Sequence, residues 1–340
     1  MKNFWRLFAR LPLVVLAAAL LELMPSGRPA GAHAAQATIK QPSDPSNPVV
    51  VDCVGDSITH GSGASSTANN YPSLLGDLLG PGYKVLNFGE SGATLLKNGD
   101  SPYWKRESYA ASAAAAPNVV IIMLGTNDSK PWNWKFKSQF ASDYEAQIDY
   151  YASIPTHPQI FVCTPPPVPG LGNYGINEPN VLEMIPIVEQ AAAARSVPVI
   201  DVQAGIPSDA SYFVDRVHPN DNGYILLASA IYEGLTRAPV ILPIANRTLT
   251  GPEPIKIITL DKGVQIRYRL DGMDKPNNGI QIRYSLDDRV PSRKSPITLT
   301  LVTMSGPTTV TAQEFVGKKP FGLKASAIFI PAPPTVPAAQ

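Results

Sequence analysis

The 340-residue chain has few of the residues that build cross-links or charged binding surfaces. Its two cysteines, Cys53 and Cys163, are too few for a disulfide framework, so buried cores have to supply the stability. Both lie in apolar runs, which favours buried free thiols, although an exported protein could join them in a disulfide. A net charge of +1 without a basic run argues against nucleic acid or an anionic membrane surface as a partner. The low net charge instead favours a small or neutral molecule as the ligand. The sequence does not indicate an oligomeric state.

The chain also lacks a long hydrophobic run. Three basic residues precede the apolar residues 11–21, and small residues follow around Ala34. This order is typical of a signal peptide cleaved near Ala34, so we expect residues 1–34 to be removed and the protein to be exported to the periplasm or the medium. An uncleaved anchor is the alternative because residues 22–24 extend the run, but we expect no stable membrane insertion after cleavage.

Short apolar runs alternate with helical patterns over residues 49–238. The runs are rich in Val and Ile and occupy residues 49–54, 83–87, 119–124, 159–164 and 197–202. They show almost no polar alternation, which is typical of parallel strands buried on both faces. Helical stretches lie between and after them, at residues 71–79, 108–116, 138–152, 180–195 and 222–236. The pattern predicts a three-layer α/β/α sandwich around a five-stranded parallel sheet.

The composition changes beyond position 238. Prolines predict one linker over residues 35–48, before the first strand, and a second over residues 239–254. Residues 255–330 carry Thr, Ile, Arg and Tyr at alternating positions without a helical period, which predicts a small β-sandwich. The Pro- and Ala-rich residues 331–340 predict a disordered tail.

Polar motifs follow three neighbouring strands of the predicted sheet. Gly55-Asp56-Ser57 follows the first, residues 87–92 the second, and residues 125–128 the third. Ligands of open parallel sheets bind outside the carboxyl ends of the strands. If Ser57 attacks an ester, the carbonyl oxygen of the ester becomes negatively charged and needs hydrogen-bond donors around it. The candidate donors are the backbone N–H groups of Ser57 and Gly92 and the side-chain amide of Asn127. The alternatives are a turn residue for Gly92 and a helix cap for Asn127.

Histidine is scarce, which narrows the choice of a base for Ser57. A serine nucleophile needs an imidazole to accept its proton and a carboxylate to orient that imidazole. His33 lies in the expected signal peptide, His157 at the entry end of a strand, and His60 on the same loop as the serine. His218 remains, with Asp215 three residues before it. The histidines are too scattered to form a metal-ligand cluster, and we expect no metal or cofactor.

Every tryptophan beyond the expected signal peptide lies in the loops after the second and third strands. They are Trp104, Trp132 and Trp134. Flat aromatic faces stack on sugar rings while the indole N–H reaches hydroxyl groups, so these residues are candidate substrate contacts. The alternative is that they pack a long loop.

The motifs together resemble the SGNH (GDSL-type) hydrolase family. The matching blocks are Gly55-Asp56-Ser57-Ile58-Thr59, Gly92, Gly125-Thr126-Asn127-Asp128 and Asp215-x-x-His218. The resemblance covers about residues 49–237 and implies a flavodoxin-like sheet with strand order 2-1-3-4-5. It also implies a serine esterase without a cofactor, in which Ser57 is the nucleophile, Gly92 and Asn127 join it as oxyanion donors, and Asp215 and His218 complete the triad.

Two narrower resemblances bear on the substrate. Residues 87–94, 99–104 and 123–130 are similar to sialate O-acetylesterases and related carbohydrate esterases, which implies an acetylated carbohydrate as the substrate. A lipid, thioester or aryl esterase of the same fold is one alternative, and a non-catalytic glycan-binding protein is another. Residues 282–312 are similar to the small β-sandwich of chitobiase-like glycosidases, which implies an accessory domain, with a structural or docking role as the alternative.

Overall fold

The computed structural model describes residues 38–44, 46–242, 244, 255–259, 265–271, 297–299, 308–316 and 319–329. The expected signal peptide, residues 1–34, and the expected tail, residues 331–340, lie outside these residues.

A five-stranded parallel sheet forms the centre of the α/β unit. Its strands are β1 (Val49–Gly55), β2 (Tyr83–Gly89), β3 (Val119–Met123), β4 (Gln159–Cys163) and β5 (Val199–Ile200). The order is β2-β1-β3-β4-β5, and all neighbours are parallel. Every residue of β3 is buried, as expected for a strand covered on both faces. The flavodoxin-like fold is therefore confirmed.

Helices cover both faces of the sheet. They are α1 (Ser57–His60), α2 (Tyr71–Leu79), α3 (Glu107–Ala114), α4 (Pro131–Trp134), α5 (Phe140–Ala152), α6 (Glu178–Ala194), α7 (Val202–Gly205) and α8 (Asp221–Thr236). One apolar core includes residues of α2 and α8, and a second includes residues of α5 and α6. The side chains of Asn70, Asn177 and Asn220 cap α2, α6 and α8 by accepting free backbone N–H groups. Among the helices of the described residues, none is long and apolar enough to cross a membrane.

The fifth strand is shorter than predicted. Residues 197–202 were expected to be extended, but only Val199–Ile200 pairs with β4. The Asp201 side chain accepts the N–H of Ala204 at 2.9 Å and so begins helix α7. A side chain that caps a helix ends the strand before it.

The two cysteines are buried and free, as the apolar runs around them indicate. Cys53 lies on β1 and Cys163 on β4, and β3 separates these strands. Strands two positions apart are about 10 Å from each other, beyond the reach of a disulfide.

The first predicted linker is partly packed against the α/β unit. Ile39 is only 1% exposed, and its N–H donates to the carbonyl of Leu235 at 2.7 Å. The Gln159 side chain accepts the N–H of Lys40 and donates to the carbonyl of Thr38, both at 2.9 Å. These contacts fix residues 38–40 beside the amino end of β4.

Two small antiparallel sheets follow the α/β unit. Their strands are β6 (Val240–Leu242), β7 (Ile255–Ile258), β8 (Gln265–Asp271), β9 (Ile297–Leu299), β10 (Thr308–Val316) and β11 (Lys319–Phe329). One sheet has the order β6-β7-β9 and the other β11-β10-β8. Ile257 of the first sheet and Val310 and Ala325 of the second are buried in the same apolar cluster as residues of α2 and α8. The antiparallel strands agree with the alternating pattern of the sequence, and their arrangement as a separate β-sandwich stays a prediction. The first of these strands, β6, lies within residues predicted as linker.

Candidate active site

The register of the sheet brings three loops to one edge. Gly55, the last residue of β1, pairs with Gly89 on one side and Met123 on the other. The loops that carry Ser57, Gly92 and Asn127 therefore leave the sheet at the same level. A β-carbon on Gly55 would collide with Thr59, and one on Gly89 would collide with the backbone of His60. The two glycines allow α1 to turn tightly against the strand ends.

Ser57 is the first residue of helix α1. The preceding Asp56 caps this helix, and its Oδ1 accepts the N–H of Ile58 at 2.9 Å. Burial raises the pKa of Asp56 to about 6, although that hydrogen bond opposes the shift. Asp56 thus has a structural role as the cap of α1, and Ser57 directly after it has 8% of its surface exposed.

Ser57, His218 and Asp215 form one hydrogen-bonded chain. Ser57 Oγ lies 2.9 Å from His218 Nε2, and His218 Nδ1 lies 2.7 Å from Asp215 Oδ2. Because a carboxylate only accepts hydrogen bonds, Nδ1 carries a proton and the neutral imidazole presents Nε2 as an acceptor to the serine hydroxyl. This geometry suits proton transfer from Ser57 to His218.

The loop that precedes α8 holds Asp215 beside His218. Arg216 adopts a left-handed φ of 70°, and the N–H of Val214 donates to the carbonyl of His218 at 2.9 Å. Asp215 Oδ1 accepts the N–H groups of Val217 at 3.0 Å and His218 at 2.8 Å. Burial raises the pKa of Asp215, but the hydrogen bonds from His218 and Val217 outweigh burial, so the pKa lies below its ordinary value.

The two further oxyanion donors predicted from sequence lie on the neighbouring loops. Gly92 has a φ of 79°, and a β-carbon there would meet no atom within 4 Å, so its surroundings are open. Asn127 is buried, and its Nδ2 donates to the carbonyl of Ala93 at 3.1 Å. An amide nitrogen carries two hydrogens, and this bond uses one of them. Both positions are compatible with donation to a substrate.

Asp128 joins these two loops. Its carboxylate accepts the N–H of Leu95 at 2.9 Å and of Leu96 at 2.7 Å, and it is fully buried. Burial raises its pKa to about 7, while the two backbone hydrogen bonds oppose the shift. Because these N–H groups belong to the loop after β2, Asp128 holds that loop against the loop after β3.

The three tryptophans lie in different environments. Trp134 is 5% exposed, donates to Glu183 at 2.7 Å and packs edge-on against Phe140, so its burial argues against the predicted substrate contact. Trp104 is half-buried and donates to the carbonyl of Leu95 at 2.7 Å. Trp132 is 49% exposed, and its ring lies directly against Gly175. Trp132 is therefore the tryptophan best placed to meet a ligand.

One residue at the site was missed in the sequence. The Tyr174 hydroxyl donates to Asp215 Oδ2 at 3.1 Å, and its ring centroid lies 5.8 Å from that of His218. The only sequence feature at this position is a glycine-rich stretch, residues 170–175, which predicts a loop but no contact. Within the part of the chain that the structure describes, no group of three His, Cys, Asp or Glu side chains could hold a metal ion.

A Ser–His–Asp hydrogen-bonded chain at the carboxyl edge of a parallel sheet is the arrangement of α/β serine hydrolases. Comparison with known proteins identifies the family within this class. Residues 53–226 match the GDSL-like Lipase/Acylhydrolase family, and the chain belongs to it.

Individual similar proteins each match somewhat more than half of the chain. An acetylxylan esterase from Xylanibacter ruminicola is 36% identical over 210 residues, which is 56% of this chain and 44% of the relative. The chain thus spans less than half the length of this curated relative. A carbohydrate acetylesterase structure from Sinorhizobium meliloti is 21% identical with a TM-score of 0.46, covering 54% of this chain and 97% of that one. An aryl esterase structure from M. smegmatis is 22% identical, with the same TM-score of 0.46 and the same coverages of 54% and 97%.

Proposed function

We propose that the protein is an exported serine esterase that removes O-acetyl groups from carbohydrates through an acyl-enzyme intermediate. The observation that carries this proposal is the continuous chain from Ser57 Oγ through His218 to Asp215, with contacts of 2.9 Å and 2.7 Å. Membership of the GDSL-like family supports hydrolysis of an ester. Export rests on the signal-peptide pattern of residues 1–34.

In the first half of the reaction Ser57 Oγ attacks the acetyl carbonyl while His218 Nε2 accepts the hydroxyl proton. The negative charge that develops on the carbonyl oxygen is stabilised by N–H groups of Ser57, Gly92 and Asn127. His218 then donates the proton to the leaving sugar oxygen as the carbon–oxygen bond breaks. The products are a free sugar hydroxyl and an acetylated Ser57.

The second half of the reaction repeats these steps with water. His218 accepts a proton from water, the resulting hydroxide attacks the acetyl-enzyme, and Ser57 recovers its proton as acetate leaves. Asp215 stabilises the imidazolium at both stages, which is consistent with the lowered pKa of its carboxyl group.

Two observations support an acetylated sugar as the substrate. The relative with 36% identity is named an acetylxylan esterase, which favours acetylated xylan over the acetylated sialic acids that the motif similarity suggests. The exposed ring of Trp132 provides a flat apolar face on which a sugar ring can stack.

The proposal is tested by measuring acetate release from acetylated xylan fragments, acetylated sialic acids and a small aryl acetate. We expect the wild type to be active and Ser57→Ala to be inactive. Ser62→Ala, on the same loop, is the matched control and should retain the wild-type rate. Equal rates for the wild type and Ser57→Ala would contradict the proposed nucleophile, and bound but unhydrolysed glycan would favour a binding protein.

A further inference from the structure

The carboxylate of Asp215 receives a hydrogen bond from a distant loop. Its Oδ1 accepts two backbone N–H groups, and its Oδ2 accepts His218 Nδ1 at 2.7 Å. These three donors belong to residues 217 and 218. The fourth donor is the Tyr174 hydroxyl, which reaches the same Oδ2 at 3.1 Å from 41 residues earlier in the chain. Tyr174 thus links a separate loop to the group that orients the proposed base.

The backbone at Tyr174 is strained. Tyr174 has a φ of 55° and Gly175 a φ of 80°, and the N–H of Ile176 donates to the carbonyl of Asn173 at 2.8 Å to close the turn. Turns with positive φ at both central positions favour glycine, asparagine and aspartate. A bulky residue there is unfavourable, so its presence beside a proposed active site points to a role for the side chain.

The turn that carries Tyr174 is anchored to the loop after β3. The Asn173 side chain accepts the N–H of Tyr174 at 2.8 Å. Asn177, just after the turn, donates through Nδ2 to the carbonyl of Ser129 at 2.9 Å. Ser129 is two residues beyond Asn127, so the turn is attached to one of the loops that form the site.

The tyrosine ring also borders the imidazole. Its plane is inclined at 53° to that of His218, with the centroids 5.8 Å apart, and 56% of the residue is exposed. We propose that Tyr174 is a positioning residue, whose hydroxyl fixes the rotation of the Asp215 carboxylate and thereby keeps His218 in line with Ser57 Oγ. This inference rests on the proposed esterase function.

The test is a double-mutant cycle between Tyr174→Phe and Asp215→Ala, measured with a small aryl acetate. Tyr174→Phe keeps the ring and removes the hydrogen bond, and we expect kcat to fall about three- to tenfold with KM unchanged. In the Asp215→Ala background the same change should have no effect on kcat, because its partner is absent. A general structural defect would lower kcat in both backgrounds.

Tyr83→Phe is the matched control. The Tyr83 hydroxyl also donates at 3.1 Å, to the carbonyl of Lys40, at the amino end of the sheet. We expect its kcat to equal that of the wild type. A wild-type kcat for Tyr174→Phe, or an equal loss in both backgrounds, would overturn the positioning role while leaving the esterase intact. A wild type that hydrolyses none of the esters would instead refute the proposed function.

Discussion

Asp52 is a buried carboxyl group with no partner in the part of the chain that the structure describes, and its replacement by asparagine should stabilise the protein increasingly as the pH rises. Asp52 lies on β1 between Leu86 and Val120 of the neighbouring strands and is fully buried. Neither of its carboxyl oxygens has a hydrogen-bond partner among the described residues. Burial raises its pKa from 3.8 to about 8.

The sign and size of the effect follow from the two pKa values. Because the folded-state pKa lies above the unfolded-state value, the folded protein holds the proton more tightly, and stability is lost as the pH rises from 3.8 towards about 8. Each pH unit in this window costs about 1.4 kcal/mol, which gives about 4 kcal/mol at neutral pH as an upper bound. Asparagine has a similar shape and does not ionise, so the variant avoids this loss.

The measurement is urea-induced unfolding of the wild type and Asp52→Asn from about pH 4 to about pH 8. The free energy of unfolding of Asp52→Asn should exceed that of the wild type only slightly at about pH 4, and the excess should grow steadily towards about pH 8. Asp149→Asn is the control, because the hydrogen bond from Arg195 lowers the pKa of Asp149. Replacing Asp149 should therefore not increase the free energy of unfolding at alkaline pH. A difference that is independent of pH would show that Asp52 is ionised in the folded protein and would refute the reasoning.

Three further predictions concern the site and the N-terminus. Asn127→Ala should lower kcat by about 100-fold with little change in KM, as for other oxyanion donors, and steady-state kinetics would check this; a loss seen only in KM would argue against that role. Trp132→Ala should raise KM for acetylated xylan fragments but not for a small aryl acetate, and a parallel rise for both would argue against sugar stacking. Mass spectrometry of exported protein should find a mature N-terminus close to Ala34, whereas an intact N-terminus would favour the uncleaved anchor.

The sequence predicts most of the fold because its patterns are long and consistent. The five predicted helices are all present, with ends that differ by no more than two residues. The fifth strand was predicted too long because residues 197–202 are mostly apolar, whereas the capping side chain of Asp201 decides where the chain turns. Likewise, proline content marked residues 239–254 as linker, but the pairing of Val240–Leu242 with β7 depends on residues far along the chain.

The site is predictable to the extent that its residues lie in short motifs. Ser57 and the Asp215–His218 pair stand out because each motif combines reactive groups at close spacing. Tyr174 does not, because its contact with Asp215 depends on a strained turn that the sequence shows only as a glycine-rich loop. Trp132 is exposed and Trp134 is buried, and the sequence of a loop does not indicate which of its tryptophans is exposed.

The buried carboxylate of Asp128 has a consequence for the mechanics of the site. It ties the loop after β2 to the loop after β3, and Asn127 adds a second tie through the carbonyl of Ala93. These hydrogen bonds connect the segment after Gly92 directly to Asn127 and Asp128, without passing through the loop that carries His218. If Gly92 and Asn127 are the oxyanion donors that we propose, their spacing is set separately from the position of the imidazole, which has to serve both the serine and the leaving group.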